Sequence, residues 1–256
     1  MTFITNLSES AMEGFAKGLS QLSPQVLQNF IQVLSQLKPE TLETFNHVLQ
    51  SFSSEKAAAN LVQLMAQLPK GKMEALIQVL GKMKPEQLQL IGKLLQSLSS
   101  SQAQSFGLAL SNLSAQQIQS LMTLLSSFNS KGMAVLTQIL GKLSPEALQN
   151  FVQFLGNQNF SKSQMNQLLS VLANLSKQLG PKEFEASLKN IMKLLQNGAD
   201  FDSVIKSLKL NGKDFSKQNQ QLLEAAALLK SKEGKINMND RAVEALAISE
   251  AAEYEK

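Results

Sequence analysis

One short apolar anchor returns along this chain at a nearly fixed interval. An apolar residue followed by a polar or Pro position falls at Leu7, Leu22, Leu37, Phe52, Leu68, Met83, Leu98, Leu113, Phe128 and Leu143. Each step is fifteen residues except the sixteen from Phe52 to Leu68, an insertion that a loop can absorb. So short a period allows only one small structural unit per repeat. Such a unit cannot bury its own apolar face, so successive units must stack on one another.

The unit from Leu22 to Gln36 shows what that structure is. Numbered from one to fifteen, its apolar positions five, six, nine, ten, twelve and thirteen fall within an arc of roughly 160° at helical pitch, with polar residues opposite. The unit therefore reads as one amphipathic helix with a wide apolar face. Ser23 and Ser144 stand where an N-cap accepts an orphan backbone N–H, and Pro24 and Pro145 stand at the first helical position. Pro39 and Pro85 repeat the arrangement with Lys in the cap slot, which weakens those caps. Leu27, Leu42, Leu88 and Leu148 share position six, near the centre of the arc, and are expected in the core. Each helix is too short to persist alone in water, so stability has to come from neighbours.

A longer register also shows. Lys72–Glu86 resembles Gly132–Glu146 sixty residues on, which suggests a higher unit of four helices with equivalent surfaces every sixty residues. The punctuation Met83-Lys-Pro-Glu86 and Leu143-Ser-Pro-Glu146 resembles that of the N-terminal helical superhelix of MgtE-type magnesium transporters and of the armadillo-like repeats of flagellar motor switch proteins. That resemblance spans about Leu7 to Gly156 and implies the fold alone.

After Gly156 the punctuation becomes conventional. Ser161 is placed to cap a helix ending at Gly180, Pro181 opens one running to Gly198, and Asp200 or Asp202 opens a short third. Phe184, Leu188, Ile191 and Leu195 are spaced to cover an open end of the array. Asn211-Gly212 reads as a turn, Ser216–Leu229 as a helix, Gly234 as its stop, and Asp240–Ala252 as a final acidic, Ala-rich segment. The expected fold class is thus all-α: an α-solenoid of about ten single-helix repeats over 1–158, a small helical capping bundle over 159–232 and an acidic tail over 233–256. Ten short helices stacked in series are expected to make an elongated body.

Chemistry-bearing residues are sparse. The chain has no Cys, which removes disulfides, thiolate nucleophiles and Cys-ligated metal sites. Charged residues are only 17% of it, and the polar remainder is Ser, Gln and Asn. No basic leader precedes an apolar run at the start, and no apolar stretch reaches the roughly 20 residues that span a bilayer. The expected location is cytoplasmic, or exported without a classical signal peptide. The segment Glu233–Asp240 resembles the back half of a calcium loop, but Leu229 occupies the place of the first carboxylate ligand. Asp200 and Asp202 pair two carboxylates without a His or Cys beside them, so a helix cap is the simpler role. Gly81, Gly92, Gly141 and Gly156 are isolated at repeat spacing and form no phosphate loop.

His47, the one histidine, stands at position eleven, where sister units carry Gln32, Gln78, Lys93, Gln138 and Gln153. These six form the candidate partner-binding row on the polar side of the helices. No catalytic, cofactor-binding or metal-ligating residue is assigned, and no cofactor is expected. The expected function is a non-enzymatic protein–protein interaction scaffold, such as an accessory component of a bacterial secretion, motility or envelope assembly or a secreted effector, with one or more protein partners. The alternative is binding of nucleic acid or an anionic membrane by the bundle, where Lys outnumbers the acids between 160 and 232. Those Lys are scattered among acids and the chain holds a single Arg, Arg241, so a solvated face is the simpler reading.

Overall fold

Each repeat folds as its punctuation dictates. The Ser23 and Ser144 hydroxyls accept from the backbone N–H of Val26 and Ala147, with Pro24 and Pro145 opening the helices. Lys38 and Lys84 make no side-chain cap, as the sequence implies. A computed structural model of the chain describes residues 7–210. The turn at Asn211-Gly212, the helix Ser216–Leu229, the stop at Gly234, the segment Glu233–Asp240, the helix Asp240–Ala252, and with them the 233–256 tail and the end of the proposed bundle, lie outside the described residues.

Thirteen helices and no strand are present among those residues. They are α1 (Glu9–Ser20), α2 (Pro24–Ser35), α3 (Pro39–Ser51), α4 (Glu55–Met65), α5 (Lys70–Gly81), α6 (Pro85–Ser97) and α7 (Ser100–Ser111), followed by α8 (Ala115–Ser126), α9 (Ser130–Gly141), α10 (Pro145–Asn157), α11 (Lys162–Gln178), α12 (Pro181–Gln196) and α13 (Phe201–Leu210). The protein is an all-α helical-repeat solenoid in which α1 to α10 are the single-helix units. The extra residue of the long step sits in the loop Phe52–Ser54 between α3 and α4. The described residues fall into two compact units, divided between Met165 and Asn166 within α11.

In the first unit every substantial helix contact joins a helix to the second or third one after it. The ladder α1, α4, α7, α10 is the tightest, with α5 on α8 and α3, α6, α9 stacked beside it. The stacking period is therefore three helices, forty-five or forty-six residues, and not the four helices suggested by the similarity at sixty. The reason is physical: the sixty-residue similarity lies within two single helices, α5 and α9, and the caps that follow them, and carries no information on which helices touch, whereas the stacking period is set by how closely helix backbones can approach.

Small residues set that approach. A Cβ on Gly14 would stand 2.6 Å from the Ala58 Cβ, and one on Gly18 would stand 2.6 Å from the Val62 Cβ. On the far side of α4, a Cβ on Gly107 would lie 2.2 Å from the Leu64 carbonyl oxygen. Helix α4 is thus gripped between two glycine-bearing helices, and every residue from Ala57 to Met65 is buried. Position nine adds a regular core row, with Phe30, Phe45, Leu76, Ile91, Phe106, Leu121, Leu136 and Phe151 all buried. Position six is uneven. Leu88 and Leu148 are buried as expected, but Leu27 and Leu42 in the first turn are only half-buried, because no earlier turn covers them.

In the second unit, the Asp200 carboxylate accepts from the Ser203 backbone N–H at 2.9 Å and from its hydroxyl at 2.8 Å, and so caps α13. Gly198 takes φ +86 at the end of α12, the left-handed stop that the sequence placed there. Phe184, Leu188, Ile191 and Leu195 are all buried, and α12 packs on α13.

Candidate interaction surface

The polar side chains of the repeat divide into an internal set that holds turns together and an external set that is free to bind. The internal set starts at position five, which the unit Leu22–Gln36 fills with an apolar Val26. In the middle units the same position carries Lys72, Gln87, Gln102 and Gln117 at intervals of fifteen. Each reaches from the first turn of its own helix to the C-terminal end of the helix two further on. Lys72 Nζ donates to the Ser111 carbonyl. Gln87 Nε2 donates to the Ser126 carbonyl at 3.0 Å and Gln117 Nε2 to Asn157 Oδ1 at 2.9 Å. Gln102 Nε2 donates to two carbonyls, Leu140 at 3.1 Å and Leu143 at 2.7 Å.

Glutamine suits this place because it works at both ends. The Oε1 atoms of Gln87, Gln102 and Gln117 accept from the backbone N–H of Lys84, Ser99 and Ser114 at 2.8–2.9 Å, closing the N-terminus of their own helices. One amide therefore satisfies an orphan donor of one helix and an orphan acceptor of another. Asn60 on α4 serves the equivalent carbonyls one turn earlier, donating to Leu95 at 2.7 Å and Leu98 at 2.9 Å. Gln63 extends the network along the tight ladder. It donates to the Gly18 carbonyl at 3.1 Å and to Gln21 Oε1 at 2.9 Å, and its own oxygen accepts from Gln104.

Gln63 also sharpens the solvent-face assignment. It stands at position eleven, yet it is fully buried, because α4 is covered on all sides. Of the six candidate residues, Gln32, His47, Gln78, Lys93 and Gln138 are exposed and Gln153 is half-buried. They lie on α2, α3, α5, α6, α9 and α10 respectively. The three-helix period brings together His47, Lys93 and Gln138, at matching positions on α3, α6 and α9, which stack in series. Neighbours in that row are about one interhelix spacing apart, roughly 8–10 Å. Gln78 lies on the α5–α8 stack and Gln153 on the α1–α4–α7–α10 ladder, so neither continues the row.

Among the described residues, no group of three His, Asp or Glu side chains is arranged to hold a metal ion. Within the same limits, no helix is long and apolar enough to cross a membrane. Asp200 is held below the usual carboxylate range by the Ser203 backbone N–H and then by its hydroxyl, which fits a capping group. No protein-family model, curated protein or solved structure matches the chain. The likeness to transporter and motor-switch helices thus rests on the punctuation motifs alone.

Proposed function

We propose that this protein is a non-enzymatic interaction scaffold that binds protein partners along the row His47, Lys93 and Gln138. The observation that carries the proposal is the split between the two polar sets. Internal amides are consumed in joining turns, while this row is exposed on helices whose apolar faces are spent in stacking. A stacked array offers long, regular surfaces, and such surfaces suit extended protein contacts. The row mixes an imidazole, an ammonium and an amide, so it supplies donors at regular spacing with little net field.

The test compares capture of host proteins by the full chain and by two triple variants. One carries His47→Glu, Lys93→Glu and Gln138→Glu; the control carries Gln116→Glu, Gln119→Glu and Asn150→Asp, all exposed on α8 and α10. The scaffold reading expects partners to be lost with the first variant and kept with the second. Equal capture by both, with both folded, would remove the row from the proposal.

A further inference from the structure

The first turn of the solenoid is unlike the others. Met12 and Ile31 are 41% and 43% exposed, Ala16 is exposed, and Leu27 and Leu34 are half-buried. Forty-six residues further on, the matching positions are Ala58, Val62, Met73, Ile77 and Leu80, and all five are buried. What covers them is the preceding turn: α1 brings Gly14 to Ala58 and Gly18 to Val62, and α3 packs on α5. Among the described residues the first turn therefore leaves open the face with which every later turn stacks, and with it Glu13 and Lys17, which stand where Ala59 and Gln63 are buried.

A second observation says what fits there. From Gly18 to Leu37 the chain carries no charged residue, so α2, the helix with the most open apolar side chains, is also uncharged. In a contact between two identical faces, groups near the two-fold axis meet their own copies. Charges there would repel, which sets the axis at α2 and keeps Glu13 and Lys17 of α1 away from it, whereas apolar side chains and Gln or Ser groups, which both donate and accept, satisfy themselves. The size also suffices. Three helices of about 18 Å, spaced about 10 Å apart, offer on the order of 500 Å² per copy, near the 1,000 Å² total that a specific interface needs. Carbohydrate would call for exposed aromatic rings, which this face lacks, and nucleic acid for a basic one.

We infer that the α1–α2–α3 face is a self-association surface on which a second copy of this chain stacks, giving a closed two-fold dimer. The experiment is sedimentation equilibrium of the full chain, its Ile31→Glu variant and its Leu108→Glu variant, read over a roughly hundredfold range of concentration. Leu108 is the control, 41% exposed on α7, away from the first turn. The expected result is twice the chain mass for the unmodified protein and for Leu108→Glu. Ile31→Glu should sediment at the single-chain mass, its dissociation constant raised at least about tenfold, one decade being about 1.4 kcal/mol. Circular dichroism checks that each variant is folded, and Met12→Glu on the same face replaces Ile31→Glu should the latter not fold. A single-chain mass for the unmodified protein throughout, a mass above two chains, persistence of the dimer in both first-turn variants, or its loss in Leu108→Glu would overturn the inference.

Discussion

Changing Gln102 to Glu tests the two-ended amide most sharply, because it alters one end only. The carboxylate keeps the acceptor that Ser99 N–H reaches at 2.9 Å. A negative charge in the first turn even gains about 0.3–1 kcal/mol from the helix dipole. What is lost is the donor. The carbonyls of Leu140 and Leu143, 3.1 and 2.7 Å from the amide nitrogen, would face a carboxylate oxygen in a buried site. The Leu140 carbonyl keeps the Leu143 backbone N–H at 3.1 Å, so one acceptor is left unpaired, at roughly 1–3 kcal/mol, and with the new charge facing it the net loss is about 1–3 kcal/mol. Gln117→Glu is the matched control at the same repeat position. Its partner is Asn157 Oδ1 on an exposed side chain, and that amide can rotate to offer its own donor. The control should stay within about 0.5 kcal/mol of the unmodified protein. Urea denaturation followed by circular dichroism reads the difference as a lower midpoint for Gln102→Glu. Its deficit should shrink in acid: burial against carbonyls raises the folded-state pKa of the new carboxyl, so the penalty is relieved as pH falls through that value and the protonated group can donate. Equal midpoints for the two variants would refute the reasoning.

Three other outcomes follow from packing and charge. Leu148→Ala, fully buried, should cost about 2–5 kcal/mol, whereas Leu27→Ala, half-buried in the first turn, should cost clearly less in the same denaturation assay. Gly107→Ala should destabilise by about 1–3 kcal/mol or more, since the added Cβ meets the Leu64 carbonyl at 2.2 Å. Gly141→Ala, with nothing within 4 Å, should instead stabilise by about 0.5–1 kcal/mol, and thermal melts distinguish the two signs. Asp200, with its folded-state pKa lowered, adds stability to α13 above its unfolded-state pKa and loses it as pH falls through the lower, folded-state value. The exchange protection factors of the Val204 and Ile205 amides should fall over that acid range in the native protein and stay constant across it in Asp200→Ala.

The repeat, its caps and its helix limits were legible because they are local. Ser23, Pro24, Ser144, Pro145, Asp200 and Gly198 each act on backbone groups within a few residues, and the sequence alone names them. The stacking period was not legible in the same way. Lys72–Glu86 and Gly132–Glu146 resemble each other at sixty residues, yet the helices stack at forty-five, because Gly14, Gly18 and Gly107 decide which backbones can touch. Gln63 and His47 share position eleven, but one is buried and the other exposed, a difference made by what lies across α4. The signal for the internal polar set was present in Lys72, Gln87, Gln102 and Gln117 at intervals of fifteen, hidden because Val26 in the reference unit made position five look apolar. The candidate row of six shrinks to His47, Lys93 and Gln138 for the same reason: position within a helix is local, whereas adjacency of helices is not.

The most direct test of that adjacency uses the absence of Cys from the chain. Two double variants, His47→Cys with Lys93→Cys and His47→Cys with Leu108→Cys, would be treated with a short bifunctional maleimide at low protein concentration. A three-helix period sets α6 on α3, so the first pair should link within the chain rapidly. A four-helix period, sixty residues, would instead bring the helix bearing Leu108 to α3. Efficient linking of the His47–Lys93 pair with little of the His47–Leu108 pair is the predicted result, and the reverse would contradict both the stacking and the binding row built on it.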